Sequence, residues 1–396
     1  MHKEGLVKYA MASFLAVLAL CAQVAAHLFA GGVDGAPQAP RWVTDAQPIA
    51  PEDIPRSDYP FLRAWIDRHA QPAEEYLIQL FQRHDVVLFG EAHNVAEHKD
   101  LIIAMIPRLY RDAGVRCVGW EFSNPTANEE LERLVTAASS DRNALLDFAR
   151  SQISHAWNSR EHWDLIEAVR ALNASLPAGS PKMRFVGIDS RIDWVDTYTK
   201  IKTLPKDSPE MQRLFTEVEL KRDVVMAENV ERDIIAKGVK GLLFVGSGHA
   251  ETHVGRPPDK PYRRPIMGKI LYDKYGDKVF HVFPDTGRFQ LMNTLMEGRV
   301  GRPVGFDVAA SPFSALVLEG VGIDTAKMSS LARGFVYFGT REQLHRNTTI
   351  PGFVTDEMFE KYQEYYRIDF GRPFKSAKEV NEYFQETLWS GGGRRK

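Results

Sequence analysis

An α/β fold, with a mostly parallel central sheet flanked by helices on both faces, is what three features of the sequence predict. Apolar runs rich in β-branched and aromatic residues recur along the chain. Longer stretches with helical periodicity separate them. The runs are continuous, as strands buried on both faces require, and such sheets hold ligands at the carboxyl ends of their strands.

In chain order, the first strand is predicted at Val86 to Phe89 in "VVLFGEAHN". The segment "AEHKDLIIAMIPRLYRDAG" follows, with Leu101, Ile102, Met105, Ile106 and Leu109 on one helical face and Pro107 as a kink. Further strands are predicted at Val115 to Glu121 and Met183 to Ile188. The next helix lies within "DSPEMQRLFTEVELKRDVVMAENVERDIIAKG", with a capping Asp or Ser, Pro209 in its first turn and Gly238 beyond its end. Strands at Leu242 to Gly246 and Val279 to Phe283 complete the pattern.

The strand ends carry the chemistry. The first delivers Glu91 and His93, the second Glu121, the third Asp189 and the fourth His249. Asp189 alone reads equally well as a helix cap. His93 and His249 are not favoured caps, and each follows a glycine-containing strand exit. Two imidazoles and two glutamates on one rim suit a divalent transition metal, with His93, His249, Glu91 and Glu121 as ligands. The same set also suits metal-free general base catalysis, with a histidine oriented by a carboxylate.

Composition bounds the rest. With 44% hydrophobic and 26% charged residues in 396, the chain can bury a large core. Fifty basic against 52 acidic residues, a net charge of -2, give no footprint for nucleic acid. A small-molecule or peptide substrate is the expected partner, and oligomeric state is not legible. Residues 1–26 read as a signal peptide: Lys3 and Lys8, an apolar run shorter than the roughly 20 residues of a membrane span, then small residues to Ala26. The mature chain is expected to be exported, periplasmic or secreted, with no membrane span. Lipidation at Cys21 is not expected, because Leu20 stands where a small residue is needed. Cys117 is then the only cysteine and reads as a buried hydrophobe. Residues 27–58 read as a Pro/Gly-rich leader, 59–300 as the α/β catalytic or binding domain, 301–389 as a C-terminal region packed on or extending it, and 390–396 as a flexible tail.

Sharper motifs fail. In "HNVAEH" the two histidines are five residues apart, about 140° around a helix, so one face cannot present both. "GSGHAE" is neither a dinucleotide loop nor a nucleophile elbow. In "SHAWNSREHWDL", His155, Trp157, His162 and Trp163 either wall a pocket or pack a helix, and packing is the reading preferred for the tryptophans. His253 reads as solvated, and Tyr362, Tyr365 and Tyr366 as helix-surface or core residues.

"LFGEAHN", "WEFSN", "GIDS", "RDVVMAENV" and "VGSGHA", in that order, resemble the superfamily that unites erythromycin esterases, ChaN-like haem-binding proteins and the Tiki/TraB proteases. The resemblance implies that Glu91 and His93 form one half of a site, Glu121 a supporting carboxylate and His249 the other half. It also matches Arg222 and Asp223 to the family's Arg-Asp pair, with Arg222 a buried partner for site carboxylates or a donor to substrate. Asp189 matches a G-x-D strand end in a supporting role. The expectation is an exported hydrolase of ester or amide bonds, using Glu91, His93, Glu121 and His249 with Arg222, with or without a divalent metal. The alternatives are a ChaN-like haem- or metal-binding protein of iron uptake and a non-catalytic interaction domain.

Overall fold

The computed structural model describes residues 37–45, 48–152, 158–252, 264–299, 301–318 and 326–388. The signal peptide, His155, Trp157, His253 and the C-terminal tail lie outside them. Among the described residues the strands are β1 (Gln71–Pro72), β2 (Val86–Glu91), β3 (Val115–Trp120), β4 (Arg184–Gly187), β5 (Lys240–Gly246), β6 (Val279–Pro284), β7 (Val304–Asp307), β8 (Val317–Leu318), β9 (Ala326–Lys327) and β10 (Gly334–Tyr337).

Eight of them form one sheet in the order β1-β7-β10-β6-β2-β5-β3-β4. From β10 to β4 every pairing is parallel, with Phe89 opposite Phe244 in the β2–β5 register. The sheet is mostly parallel, as expected, and is mixed only at one edge, where β7 pairs antiparallel with both β10 and β1. Val86, Phe244, Cys117 and Phe185 sit in four successive strands, all buried. β2 is buried along its whole length, as a central strand must be.

Helices cover both faces. One core layer joins Ile102, Met105, Ile106 and Leu109 of helix Ala96–Arg111 to Val87, Phe89 and Phe244 and to Tyr366 and Phe384 near the C-terminus. The opposite layer packs Met226, Ala227 and Val230 against Val86, Leu88, Leu243 and Val245. The long helical segment starts on Ser208, whose hydroxyl accepts the Met211 N–H, and closes on Gly238 in the left-handed region at φ 65°. Between Pro209–Phe215 and Arg222–Asp233 it widens into a π-helical stretch, Thr216–Lys221. Before the sheet, Ile49 bridges Leu316 and Ile54 is buried in a third apolar cluster with Trp65 and Phe313. No helix among the described residues is long and apolar enough to cross a membrane.

Candidate functional site

At the carboxyl ends of β2, β3 and β5, Glu121 stands between two imidazoles. Its Oε1 lies 3.6 Å from His93 Nε2 and its Oε2 3.4 Å from His249 Nε2. The Gly246 N–H donates to Glu121 Oε1 at 2.7 Å and fixes it in place. Each histidine is held from behind by another carboxylate. His93 Nδ1 meets Glu91, and His249 Nδ1 is 3.0 Å from both oxygens of Asp223. Asp223 also accepts the Met267 N–H at 2.8 Å, with Arg264 Nη1 at 3.6 Å. His93 is the exposed member, its side chain 33% accessible against 10% for His249 and 3% for Glu121.

Glu91 has no contact with water, and three cationic or imidazole groups converge on it. Lys99 Nζ lies 2.6 Å from Oε2, His162 Nε2 lies 3.3 Å from Oε1, and His93 shares Oε1. Burial alone would push the Glu91 carboxyl up, but Lys99 and His93 hold it well below the usual range. Burial lowers His93, yet the charge and hydrogen bond of Glu91 together with the Glu121 charge outweigh this and raise it above its ordinary value. His162 is pushed down to about 4 by burial and by the Lys99 charge, so it is neutral at pH 7. Lys99 Nζ donates to Ala92 O at 2.8 Å and Val95 O at 3.1 Å.

Asp189 and Arg222 form a bidentate pair, Nε to Oδ1 at 2.7 Å and Nη2 to Oδ2 at 3.0 Å. The guanidinium lies over the Trp194 ring at 4.7 Å. Burial raises the Asp189 carboxyl even with Arg222 beside it. In Asp223, burial pulls upward but the hydrogen bond and charge of His249, with the Met267 N–H and Arg264, together lower the carboxyl.

The seven residues singled out in the sequence are thus placed in two linked groups: Glu91, His93, Glu121, His249 and Asp223 in one chain of contacts, Asp189 and Arg222 in a pair beside it. The sequence reading did not include Lys99 or Arg264, and it gave His162 little weight. Lys99 and His162 come from the facing helices Ala96–Arg111 and Arg160–Ser175, and no strand-end pattern marks them. Trp163 packs edge-on against Trp120, as read. His98 works structurally: its Nδ1 accepts the Ala92 N–H and its Nε2 lies 3.0 Å from Asp285 O, tying the ends of β2 and β6 together.

Among the described residues, the donors close enough to share one ion are those of Glu91, His93 and His162, all within 4.8 Å of one another. Glu121 and His249, expected as ligands, fall outside that group. The set suits a metal poorly, since the Lys99 ammonium already occupies Glu91 Oε2 and would repel a divalent cation.

Residues 77–188 match the family model described as "Haem-binding uptake, Tiki superfamily, ChaN". That stretch contains Glu91, His93, Lys99, Glu121 and His162, while Arg222, Asp223 and His249 lie beyond it. Among solved structures, a protein from Bacillus cereus shares 13% identity at a TM-score of 0.52, over 74% of this chain and 99% of its own. A succinoglycan biosynthesis protein shares 11% at a TM-score of 0.53, over 74% and 99%. An erythromycin esterase mutant in its open conformation shares 13% at a TM-score of 0.45, over 69% and 94%. No curated protein sequence matches the chain. The superfamily named in that family model is the one the motifs resemble.

Proposed function

We propose that the protein is a hydrolase of ester or amide bonds that works by metal-free acid–base catalysis. The observation that carries this reading is the bridging of His93 and His249 by Glu121, with each imidazole held on its far side by Glu91 or Asp223. Asp223 fixes the orientation of His249, which takes the proton from an attacking water. His93, whose imidazolium Glu91 favours, returns a proton to the leaving group. Arg222 keeps positive charge beside the oxyanion that develops between them.

The test is a panel of p-nitrophenyl esters and anilides. His93→Asn and His249→Asn are each expected to lower turnover by about 10²–10⁴-fold, the usual worth of a positioned acid or base. Dialysis against a chelator should leave the wild-type rate unchanged. Activity lost to the chelator and restored by zinc would replace this reading with a metal-dependent one.

A second reading rests on the family description, which names haem-binding uptake. The residues present fit haem poorly, because Glu121 stands 3.6 and 3.4 Å from the His93 and His249 Nε2 atoms, where an iron with its porphyrin would have to displace it, whereas a water needs only to hydrogen-bond beside it. A saturable Soret band on haem addition, lost in His93→Asn, would favour the binder.

A further inference from the structure

β6 runs into "PDTG", and its turn places a further acidic residue, Asp285, at the same edge of the sheet. Gly287 makes the turn possible: it sits at φ 72°, and a Cβ there would strike the Arg341 backbone N at 2.3 Å. Burial pushes the Asp285 carboxyl up, and the nearby backbone N–H groups of Thr286, Gly287 and Phe289 pull it back only in part. Asp285 is only 3% exposed, and its Oδ2 has no hydrogen-bond partner among the described residues.

Asp285 lines a cleft of about 640 Å³, a size that suits a small molecule. Tyr59, Phe283, Phe289 and Phe335 supply aromatic walls, with Leu291 and Val317 beside them. The cleft borders the histidine cluster only through Gly90, Ala92 and Ser247. At its rim the exposed Glu52 and Arg288 carry opposite charges.

An acceptor this buried with an open oxygen costs free energy until a donor reaches it. Burial raises the Asp285 carboxyl to about 6, so at pH 7.5 it is an anion that can only accept. Aromatic faces around an anion attract an organic cation. We infer that this cleft is a binding site for a small organic ammonium ion with an apolar, ring-sized body, whose charge pairs with the Asp285 carboxylate while the aromatic walls enclose the rest. The inference does not depend on the hydrolase reading, since none of the acid–base groups lines the cleft.

Tryptamine, tryptophol and indole-3-acetate share one ring system and differ in head group, so calorimetric titration of the three at pH 7.5 isolates the charge. Tryptamine should bind at least tenfold more tightly than tryptophol, and indole-3-acetate should give no saturable heat. Asp285→Asn should reduce tryptamine to the affinity of tryptophol and leave tryptophol unchanged. His249→Asn should leave tryptamine affinity within twofold, which separates this cleft from the histidine cluster. Equal affinity for the three probes, no saturable heat with tryptamine, or an unchanged tryptamine affinity in Asp285→Asn would overturn the assignment. If the variant does not fold, the order of the three probes on the wild-type chain decides alone.

Discussion

Lys99 is fully buried, its ammonium paired with Glu91 Oε2 and hydrogen-bonded to Ala92 O and Val95 O. Removing one partner of such a pair leaves an uncompensated charge, which costs about 3–5 kcal/mol, whereas replacing both can be nearly neutral. Lys99→Met should therefore lower urea-denaturation stability by about that amount, and Lys99→Met with Glu91→Gln should recover more than half of it. Additive losses in the double variant would contradict the pairing. The same electrostatics give an acid limb. His162 and His98 are held at about 4 and about 3 by burial and by Lys99, against 6.5 when exposed. Below 6.5 the unfolded chain binds protons that the folded chain does not, so their contribution is fully present above 6.5 and is lost as pH falls toward 4 and 3. His93 works oppositely, being raised by Glu91. The melting temperature should fall between pH 6.5 and 4, and His162→Gln should flatten that slope. A slope identical in the variant would remove His162 from the account.

At the scale of elements, the strand ends decide how tightly the site is built. The Gly246 amide holds Glu121, and a Cβ at this position would come within 2.7 Å of His93 Cε1 and 3.1 Å of Glu121 Oε1. Gly246→Ala should cost about 1–3 kcal/mol, as overpacking does, and should reduce turnover far more than that loss of stability explains. Wild-type turnover in this variant would separate Glu121 from the chemistry. The five central strands were legible because parallel strands buried on both faces are continuous apolar runs, and their shared edge made Glu91, His93, Glu121, Asp189 and His249 legible with them. The four-residue β7 and β10 and the two-residue β1 were not, since runs so short carry no period. Lys99 and His162 escaped for another reason. Each sits on a helix whose inward face holds apolar and polar residues alike, and only packing shows which polar side chain points at a strand end. The π-helical stretch just before Arg222 was also hidden, because a one-residue widening leaves no mark in hydrophobic spacing.

At the scale of the whole molecule, the segment after residue 300 is woven into both the sheet and the site. β10 lies between β6 and β7, so without it β6 would become an open edge. Phe353, Phe359, Tyr366 and Phe384 share one core with Phe89 and Phe244. The loop from His345 to Ile350 clasps the site. Asn347 Nδ2 donates to His93 O, the Thr348 N–H to Glu161, and the Ile350 N–H to Asn158 Oδ1 at 2.7 Å. On the other side of the loop, the Ala96 N–H donates to His345 O at 3.0 Å. A chain ending at residue 299 would expose the β6 edge, empty part of the main core and release the backbone around His93. It should therefore lose near-ultraviolet circular dichroism, bind ANS and aggregate, as chains do when packing is lost but secondary structure persists. A chain ending at residue 388 keeps every one of these contacts and should unfold cooperatively. If the 299-residue chain were soluble and unfolded in a single sharp transition, the C-terminal segment would be an appended domain and its clasp on His93 dispensable.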